Sequence, residues 1–372
     1  EDIAEYLVGY KDEESNPCGI INVQFIKEMD LQVMSPVDNL IETGYSLKHK
    51  AMYNLMHKLI QQHKTTLVFT NTRSATERVV HTMKEKFSDS YYNSNIAAHH
   101  GSLSKETRHK TEQDLRDGKL KTVVCSTSLE LGIDIGAVDL VLCLGSPKSV
   151  ARFLQRAGRA GHQLHGKVKA RIIVMDRDDL VECSLLLKSA IEKKIDRVHI
   201  PTGALDVLAQ QLYGIAIAEG PVNIQEVYKM VKQSYCFRNL DYKQFMEVIH
   251  YLAGTYVALE DRHVYAKIWY DEEQQLIGKK GKLARVLYMT NIGTIPEESY
   301  VKVKIKDQIV GEISEPFLER LKPGDVFVLG GNAYQFRFAR GMTAQVSSAS
   351  HKKPTVPSWI SEMLPLSFDL AT

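Results

Sequence analysis

Residues 155–162, with the sequence QRAGRAGH, combine groups that are suited to phosphate chemistry. An arginine guanidinium held beside a terminal phosphate neutralises negative charge as the phosphoryl group departs, and its planar fork matches phosphate oxygens. The small residues between the two arginines allow a helix that carries them to pack closely against its neighbour. The competing interpretation is an ordinary helix whose arginines form surface ion pairs. We favour the interpretation in which this segment handles a phosphate.

Hydrophobic periodicity indicates which elements position this segment. Between residues 47 and 198, apolar residues at helical spacing alternate with short runs that are apolar throughout. The runs predict strands at residues 65–70, 96–98, 122–125, 138–144 and 170–175. Apolar strands with helices between them are typical of a parallel sheet that is covered on both faces. We therefore predict the α/β class, with a parallel-sheet domain over residues 47–198.

The segments on either side of this domain have different patterns. Residues 1–46 lack a clean periodicity and contain an extended-looking piece at 31–34, which we interpret as the tail of a preceding domain and a linker. Residues 199–255 carry three apolar stripes at helical spacing, followed by short β-prone pieces at 256–259 and 264–265. Three helices and a two-stranded wing predict a winged helix over residues 199–283.

From about residue 284 the chain becomes rich in β-strand patterns. Valine and isoleucine alternate with lysine over residues 301–306, and aromatic residues alternate with polar ones over residues 334–338. The sequences PGD at 323–325 and GGN at 330–332 supply turns between strands. We predict a small barrel-like or sandwich-like β-rich domain over residues 284–372, which we expect to be truncated at its end.

Three ordered segments resemble the motifs of a known class of motor protein. The sequence LVFTNTR at residues 67–73 looks like helicase motif IV, STSLELGIDIG at 126–136 looks like motif V, and residues 155–162 look like motif VI. Each lies at the end of a predicted strand or in the helix after one. Together with HHGSL at residues 99–103, they are similar to the Lhr, or large helicase-related, proteins of helicase superfamily 2. The similarity runs from near residue 1 to the end.

The resemblance implies an architecture and an activity. It implies a RecA-like domain followed by a winged helix and a β-barrel domain. It also implies ATP-driven 3′-to-5′ movement on single-stranded DNA, with unwinding of DNA duplexes or RNA–DNA hybrids. ATP and Mg²⁺ are the implied cofactors.

The resemblance also assigns roles in nucleotide chemistry. Arg159 corresponds to the arginine finger, and Gln155 corresponds to a residue that touches the nucleotide. Arg156 corresponds to a nucleotide contact or, as the preferred alternative, to a brace that acts through acidic neighbours. His162 stands where many relatives of superfamily 2 have a second arginine, and an imidazole is not reliably charged at pH 7. Two residues of motif V are expected beside the nucleotide and its magnesium, namely Gly132 and Asp134.

A further set of residues is implied to hold the nucleic-acid backbone. These residues have hydroxyl, amide or cationic side chains or lie in loops whose backbone N–H groups suit phosphates. They are Thr70, Asn71, Arg73, His100, Gly101, Ser126 and Thr127. Each has a structural alternative, such as capping a turn or satisfying loop backbone. Trp359 follows a basic stretch and is suited to stacking on an unpaired base, with a core or interface tryptophan as the alternative.

No segment matches the nucleotide-binding loop that such a motor needs. Residues 161–168 follow the pattern Gly-x-x-x-x-Gly-Lys-Ser/Thr until Val168, which has no hydroxyl group for Mg²⁺, and the segment follows a helix instead of a strand. We therefore expect a first RecA-like domain, upstream in the parent protein, to hold ATP and Mg²⁺. This chain alone is predicted to be inactive.

Composition excludes several other classes of protein. The net charge is +2, so any basic footprint must be local, as at residues 279–285 or at the alternating Lys302, Lys304 and Lys306. Five scattered cysteines support neither a disulfide framework nor a zinc site, and they indicate a reducing, cytoplasmic compartment. The histidines at 99–100, 162 and 165 lack a third ligand at suitable spacing, so we predict no metal site. No apolar run is long enough to span a membrane.

The function that we predict is the C-terminal part of an ATP-dependent helicase of the Lhr type, with single-stranded DNA as its partner. One alternative is a nucleic-acid-binding or scaffold protein that keeps a motor-like domain without catalysis. A second is an RNA-directed helicase, because motifs IV to VI grip the backbone and not the bases.

Overall fold

A computed structural model describes residues 1–11, 14–21, 28–91, 95–131, 135–161, 167–255, 266–290, 300–349, 354–357 and 365–371. The chain divides into two compact units. We call the first the winged-helix unit, which comprises Glu1–Gln24 and Val198–Glu298. The second is the sheet unit, which comprises Phe25–Arg197 and Ser299–Thr372. No helix among the described residues is both long enough and apolar enough to cross a membrane.

The first elements of the chain belong to the winged-helix unit. They are α1 (Asp2–Val8) and a hairpin of β1 (Tyr10–Lys11) and β2 (Glu14–Ser15). The backbone N–H of Tyr10 donates to the carbonyl of Gln233 over 2.8 Å, which attaches the hairpin to the later part of this unit.

A six-stranded parallel sheet, with the order β3-β8-β7-β4-β6-β5, forms the centre of the sheet unit. Its elements are β3 (Met29–Met34), α2 (Tyr45–Gln61), β4 (Thr66–Phe69), α3 (Arg73–Lys86), α4 (Ser88–Tyr91), β5 (Ile96–His99), α5 (Lys105–Arg116), β6 (Thr122–Cys125), β7 (Leu140–Leu144), α6 (Val150–Ala157), β8 (Val168–Ile173) and α7 (Arg177–Ile191). Strands β4 and β6 are buried along their whole length, as their apolar runs predict. The predicted α/β class and parallel sheet are confirmed.

One strand of this sheet comes from the segment that the sequence analysis interpreted as a tail and linker. Strand β3 pairs in parallel with β8 over six residues, from Met29 opposite Val168 to Met34 opposite Ile173. Its side chains are only half-buried or exposed because it is an edge strand, which explains its weak apolar signal.

Side-chain caps determine where three helices of the sheet unit begin. The hydroxyl groups of Thr72, Ser104 and Ser149 accept hydrogen bonds from the backbone N–H groups three residues later. Such caps satisfy donors that the first turn of a helix leaves unpaired. Each capping residue lies a few positions after a strand. The cap therefore fixes where the loop after that strand ends and the helix begins.

Among the described residues, the later part of the winged-helix unit contains four α-helices and a small antiparallel sheet. Its elements are α8 (Leu205–Ala218), β9 (Val222–Asn223), α9 (Ile224–Lys232), α10 (Tyr242–Ala253), β10 (Ile268–Asp271), β11 (Leu276–Lys279) and α11 (Ala284–Thr290), with a 3₁₀ turn at Tyr235–Phe237. The strand order is β10-β11-β9. The predicted winged helix is confirmed, and the predicted wing strands at 256–259 and 264–265 lie outside the described residues.

Helix α11 differs from the β-rich pattern that the sequence predicts from residue 284 onward. It packs against α8, where the hydroxyl of Tyr213 donates to the carbonyl of Ala284 over 2.9 Å. The ring of Tyr288 lies so close to Gly214 that a Cβ atom at that glycine would be 2.8 Å from the tyrosine hydroxyl. Tertiary packing therefore outweighs the β propensity of this short, β-branched and aromatic segment.

The last part of the sheet unit is a curled five-stranded sheet that we call the half-barrel. Its elements are β12 (Tyr300–Ile305), β13 (Gln308–Ser314), α12 (Glu315–Leu318), β14 (Val326–Leu329), β15 (Asn332–Ala339) and β16 (Thr343–Ser348), and α13 (Phe368–Ala371) follows it. The strand order is β13-β12-β16-β15-β14, with a parallel pair only between β12 and β16. The predicted barrel-like β-rich domain is confirmed.

The half-barrel and the parallel sheet share one hydrophobic core. Val303, Phe327 and Phe336 on the inner face of the half-barrel belong to the same buried cluster as Met56 of α2 and Val80 of α3. A second buried cluster covers the other face of the parallel sheet. The half-barrel therefore extends the buried layer that α2 and α3 form on one face of the parallel sheet.

Candidate functional site

The carboxyl ends of four neighbouring strands bring the described residues of motifs IV and V to one edge of the parallel sheet. Phe69 of β4 is in register with Cys125 of β6 and with Cys143 of β7, and Cys125 is in register with His99 of β5. The residue after β4, Thr70, donates its backbone N–H to the carbonyl of Cys125 over 2.8 Å. Ligands of open α/β sheets bind at this edge. Motifs IV and V therefore meet where a ligand is expected.

The polar residues that follow β4 stabilise the loops of this edge. Thr70 is buried, and its hydroxyl oxygen lies 2.8 Å from the hydroxyl of Thr76 and 3.0 Å from the carbonyl of Thr72. The side-chain amide of Asn71 donates to the carbonyl of Ser146 over 2.8 Å, which ties the loop after β4 to the loop after β7. These contacts keep both loops in place before any ligand arrives.

A buried ion pair joins motif V to motif VI. Arg156 of α6 is 0% exposed, and its Nε donates to Oε2 of Glu130 over 3.0 Å. Its guanidinium also lies over the ring of Phe69 at 5.2 Å and donates to Oδ1 of Asn71 over 3.3 Å. The other carboxylate oxygen of Glu130 is 3.3 Å from Nε of Arg152, one turn earlier on α6. Arg156 therefore pairs with an acidic neighbour, as the bracing alternative for this residue requires.

The other two predicted site residues of motif VI within the described part of the chain lie nearer the surface. Gln155 is exposed, and Arg159 is half-buried just beyond the end of α6. The backbone N–H of Arg159 donates to the carbonyl of Arg156 over 3.0 Å, and Gly161 donates to the carbonyl of Val138 over 3.1 Å. The brace at Arg156 therefore fixes the backbone from which Arg159 extends. His162 lies outside the described residues.

The start of α6 is held by a residue from far along the chain. Oδ2 of Asp196 accepts hydrogen bonds from the hydroxyl of Ser149 over 2.8 Å and from the backbone N–H of Ala151 over 3.0 Å. Its Oδ1 accepts from the hydroxyl of Ser367, whose backbone N–H donates to the carbonyl of Lys148 over 2.9 Å. Although burial raises the pKa of Asp196, the hydrogen bonds that its carboxylate accepts lower it below its ordinary value overall. Helix α6 is thus anchored at both ends.

The loop after β5 faces the half-barrel. His100 is fully buried, and its Nε2 lies 2.8 Å from Oε1 of Glu77 on α3. The same carboxylate accepts the backbone N–H groups of Gly330 and Gly331, the latter over 2.7 Å. Gly101, the next residue of the loop, is exposed. In this structure the His100 side chain joins two layers of the sheet unit, whereas the resemblance assigns it to nucleic acid.

Arg73 is also directed at the half-barrel. Its Nη1 donates to the hydroxyl of Ser102 over 2.9 Å and to that of Tyr300 over 3.4 Å. Its guanidinium lies 5.8 Å from the centre of the Tyr300 ring. Arg73 is therefore half-buried between motif IV and the first strand of the half-barrel.

The loop after β6 contains one buried and one exposed hydroxyl group. Ser126 is buried, and Thr127 next to it is exposed. The following Ser128 donates to the carbonyl of His99 over 2.9 Å, which connects this loop to the loop after β5. Burial lowers the pKa of His99, although the neighbouring Glu112 opposes the shift. Gly132, Asp134 and Trp359 lie outside the described residues.

The structure adds residues that the sequence analysis did not select. Glu130 lies within motif V but carries no local signal of its partner, which is 26 positions away. Asp196 and Ser367 are 171 positions apart, so no periodicity or spacing connects them. Glu77 is a helical glutamate of ordinary appearance, and only its complete burial distinguishes it. These residues hold the site in place and do not line its exposed surface.

Comparisons with known proteins agree with this architecture. The helicase conserved C-terminal domain matches residues 47–163, and the winged helix domain of large helicase-related proteins matches residues 188–356. The chain is 55% identical over 371 residues to the ATP-dependent helicase Lhr-Core of Methanothermobacter thermautotrophicus, covering 100% of this chain and 43% of that protein. It is 48% identical over 373 residues to the ATP-dependent helicase Lhr-Core protein 2 of Thermococcus barophilus, again covering 100% of this chain and 43% of that protein.

A solved structure of a relative has the same fold. The Mycobacterium smegmatis helicase Lhr bound to single-stranded DNA and AMP-PNP matches with a TM-score of 0.72 and 29% identity, over 91% of this chain and 42% of that chain. The present chain therefore spans less than half the length of the relatives that it matches.

Proposed function

The chain belongs to the Lhr family of superfamily 2 helicases, and from this we propose that it is the C-terminal helicase region of an ATP-driven motor that moves 3′-to-5′ on single-stranded DNA. The observation that carries the proposal is the meeting of motifs IV and V at the carboxyl edge of the parallel sheet, with motif VI braced against them through Glu130 and Arg156. DNA duplexes or RNA–DNA hybrids are the proposed substrates for unwinding.

In this proposal Arg159 acts as the arginine finger. Arg159 is half-buried, lies four positions after the exposed Gln155 and follows a helix that is fixed at both ends, and such an arginine fits a terminal phosphate of ATP. The nearby carboxylate of Glu130 is already shared by two arginines, so it does not fit direct coordination of Mg²⁺. ATP supplies the phosphoryl group, and a first RecA-like domain in the full-length protein holds it together with Mg²⁺. Arg159 neutralises the charge that develops on the departing group.

The same edge is proposed to grip the nucleic-acid backbone. Thr127 offers an exposed hydroxyl group, and the backbone at Gly101 is open to solvent, since a Cβ atom at that glycine would meet no other atom within 4 Å. Hydroxyl and backbone N–H groups hold phosphates without reading the sequence of bases. Single-stranded DNA is the proposed partner, in keeping with the strand bound to the Mycobacterium smegmatis relative.

The proposal is tested by the variant Arg159→Ala in the full-length protein. We expect DNA-stimulated ATP hydrolysis to fall by about 10³-fold or more, because an arginine finger contributes about 10³- to 10⁵-fold to turnover. Affinity for single-stranded DNA, measured by fluorescence anisotropy without nucleotide, is expected to stay within about twofold.

Two control variants test whether the effect is specific to the guanidinium of Arg159. Arg177→Ala removes an exposed arginine from the start of α7 and should leave turnover unchanged. Arg159→Lys keeps the charge but loses the planar fork, so we expect partial activity. Near-normal turnover by Arg159→Ala would show that Arg159 is not the arginine finger. No turnover in the unmodified full-length protein, with DNA binding intact, would favour a non-catalytic binding protein instead.

The preference between DNA and RNA needs a separate measurement. Competition between single-stranded DNA and RNA of one sequence, read by anisotropy, is expected to favour DNA. A preference for RNA would instead support the RNA-directed helicase, since contacts to the backbone at this edge serve either polymer.

A further inference from the structure

The two faces of the half-barrel differ in chemistry. Its inner face is apolar and belongs to the core that it shares with the parallel sheet. On β12 the buried residues Val301 and Val303 alternate with Lys302 and Lys304, which point away from that core. The strands and turns over residues 300–314 and 332–348 contain five cationic residues and two acidic ones. They are Lys302, Lys304, Lys306, Arg337 and Arg340, with Asp307 and Glu312.

A β-bulge places an aromatic ring on the outer, charged face. Tyr334 and Phe336 of β15 are buried, and the period of two would put Phe338 on the same inner side. The register shifts between Phe336 and Phe338, and Arg337 is the extra residue. Phe336 therefore opposes the buried Val346, whereas Phe338 opposes Gln345 and is 56% exposed. Bulges commonly redirect a side chain at a functional surface.

Strand pairing places this ring among cations. Phe338 pairs with Gln345 of β16, and Gln345 pairs with Lys304 of β12. The backbones of Phe338 and Lys304 are therefore two strands apart, a separation of roughly 10 Å. Arg337 and Arg340 flank the ring and are exposed. Glu312 stands opposite Lys302, so the excess of positive charge lies on the side of Phe338 and Lys304.

We propose that this outer face, centred on Phe338 with Lys304, Arg337 and Arg340 around it, is a second binding surface for single-stranded nucleic acid. A base stacks on the Phe338 ring, and the cations pair with the neighbouring phosphates. Surfaces that combine a basic track with exposed aromatic rings bind unpaired strands in this way. An unpaired base is required because the bases of a duplex already stack on each other. The choice of a strand as the ligand rests on the proposed function.

The charge of this face and its small number of exposed apolar residues favour a strand over a protein partner. A stable protein interface has an apolar centre that is depleted in charge. Here the exposed apolar residues near the centre of the face are Phe338 and Met342, and cations surround them. This arrangement complements phosphates and bases better than it complements another folded surface.

The test is the affinity of the full-length variant Phe338→Ala for oligo-dT of graded length, measured by fluorescence anisotropy without nucleotide. We expect affinity for long oligonucleotides to fall by about 5- to 100-fold, the range that loss of one stacked base produces. The shortest oligonucleotide that still stimulates hydrolysis should bind as it does to the unmodified protein. Maximal turnover at saturating DNA should not change, since Phe338 is outside the motor edge.

Matched variants separate stacking from other effects. Phe338→Trp retains a ring and should bind normally, whereas Phe338→Leu keeps an apolar side chain but should bind as weakly as the alanine variant. Lys304→Ala should lower the slope of log affinity against log salt by about 1, as loss of one phosphate contact does. Lys188→Ala on α7 removes an exposed lysine elsewhere in the sheet unit and should leave the slope unchanged. Oligo-U should show the same Phe338 dependence, because every base has a stacking face.

The possible outcomes distinguish the proposed second binding surface from the proposed motor activity. Unchanged affinity of Phe338→Ala at every length would overturn the second surface, whatever Arg159→Ala does. Normal binding by Phe338→Leu would overturn stacking as its basis. If the unmodified full-length protein fails to hydrolyse ATP while Phe338→Ala still loses affinity for long strands, the motor proposal fails and the second surface stands.

Discussion

At the scale of single residues, the two arginines of motif VI differ in burial. Arg156 is enclosed by Glu130, Asn71 and Phe69, whereas Arg159 is half-buried beyond the end of the helix. A charge that is removed from water is tolerated only where partners and hydrogen bonds surround it. The buried arginine therefore suits a permanent internal contact, and the more accessible one remains suited to a ligand.

Removal of Glu130 tests the permanent contact. We expect Glu130→Ala to lower the free energy of unfolding by about 3–5 kcal/mol, since it leaves the buried Arg156 without its counter-charge. Urea denaturation of the full-length protein, followed by hydrogen exchange in α6 and the loop after β6, measures the change. Glu85→Ala, which removes an exposed glutamate from α3, should alter stability by no more than about 0.5 kcal/mol. Equal stability of the two variants would contradict a bracing role.

At the scale of elements, α6 is fixed by contacts of two kinds. Its start is capped by Ser149 and by Asp196, which the C-terminal segment reaches through Ser367. Its body is held by Glu130 through Arg152 and Arg156. In the proposed role, α6 presents Arg159 to ATP that another domain holds. That role requires a fixed helix position, because small misplacements reduce turnover strongly.

The variant Asp196→Ala tests the start of α6. We expect faster hydrogen exchange over residues 149–153 and a loss of about 1–2 kcal/mol in local stability, since the backbone N–H of Ala151 and the hydroxyl of Ser149 lose their acceptor. Turnover should fall while the KM for ATP changes little. Asp369→Asn is the matched control, because Asp369 pairs with the exposed Arg197 nearby and does not touch α6. Exchange rates that match this control would argue against the anchoring role.

Sequence patterns predict elements of this protein better than they predict contacts. The apolar runs of β4, β6 and β7 are visible because these strands are buried on both faces, and caps such as Ser104 mark helix starts. The meeting of Thr70 and Ser126 at one edge follows from parallel strands alone. The bulge at Arg337 and the partner of Asp196 could not be predicted, because neither a register shift nor a contact between distant residues leaves a periodic signal.

At the scale of the whole molecule, the sheet unit is one folded body made from two stretches of chain. A single hydrophobic core crosses from α2 and α3 to the half-barrel. Gly331 approaches α3 so closely that a Cβ atom would lie 2.6 Å from Cγ1 of Val80. Glu77 adds the polar part of this junction through Gly330, Gly331 and His100. Any movement of the parallel sheet in a motor cycle would therefore carry the half-barrel with it.

Replacement of Glu77 tests that junction. We expect Glu77→Ala to cost about 3 kcal/mol or more of stability, since two backbone N–H groups and His100 lose their buried acceptor. Hydrogen exchange should increase together in α3 and in the turn between β14 and β15. Glu77→Gln keeps an acceptor oxygen and should be less severe. Exchange that rises in α3 alone would show that the half-barrel is held independently of Glu77.

The division of the sheet unit into two stretches has a consequence for how the protein is made. On the ribosome, the parallel sheet emerges first, and about 100 further residues separate Arg197 from Tyr300, where β12 of the half-barrel begins. At about 5–20 residues per second, that interval lasts on the order of 5–20 s. Throughout this interval, the apolar surface of α2 and α3 that the half-barrel later buries remains exposed. Newly made chains with such surfaces aggregate readily. The nascent chain should therefore depend on chaperones until β16 has left the exit tunnel.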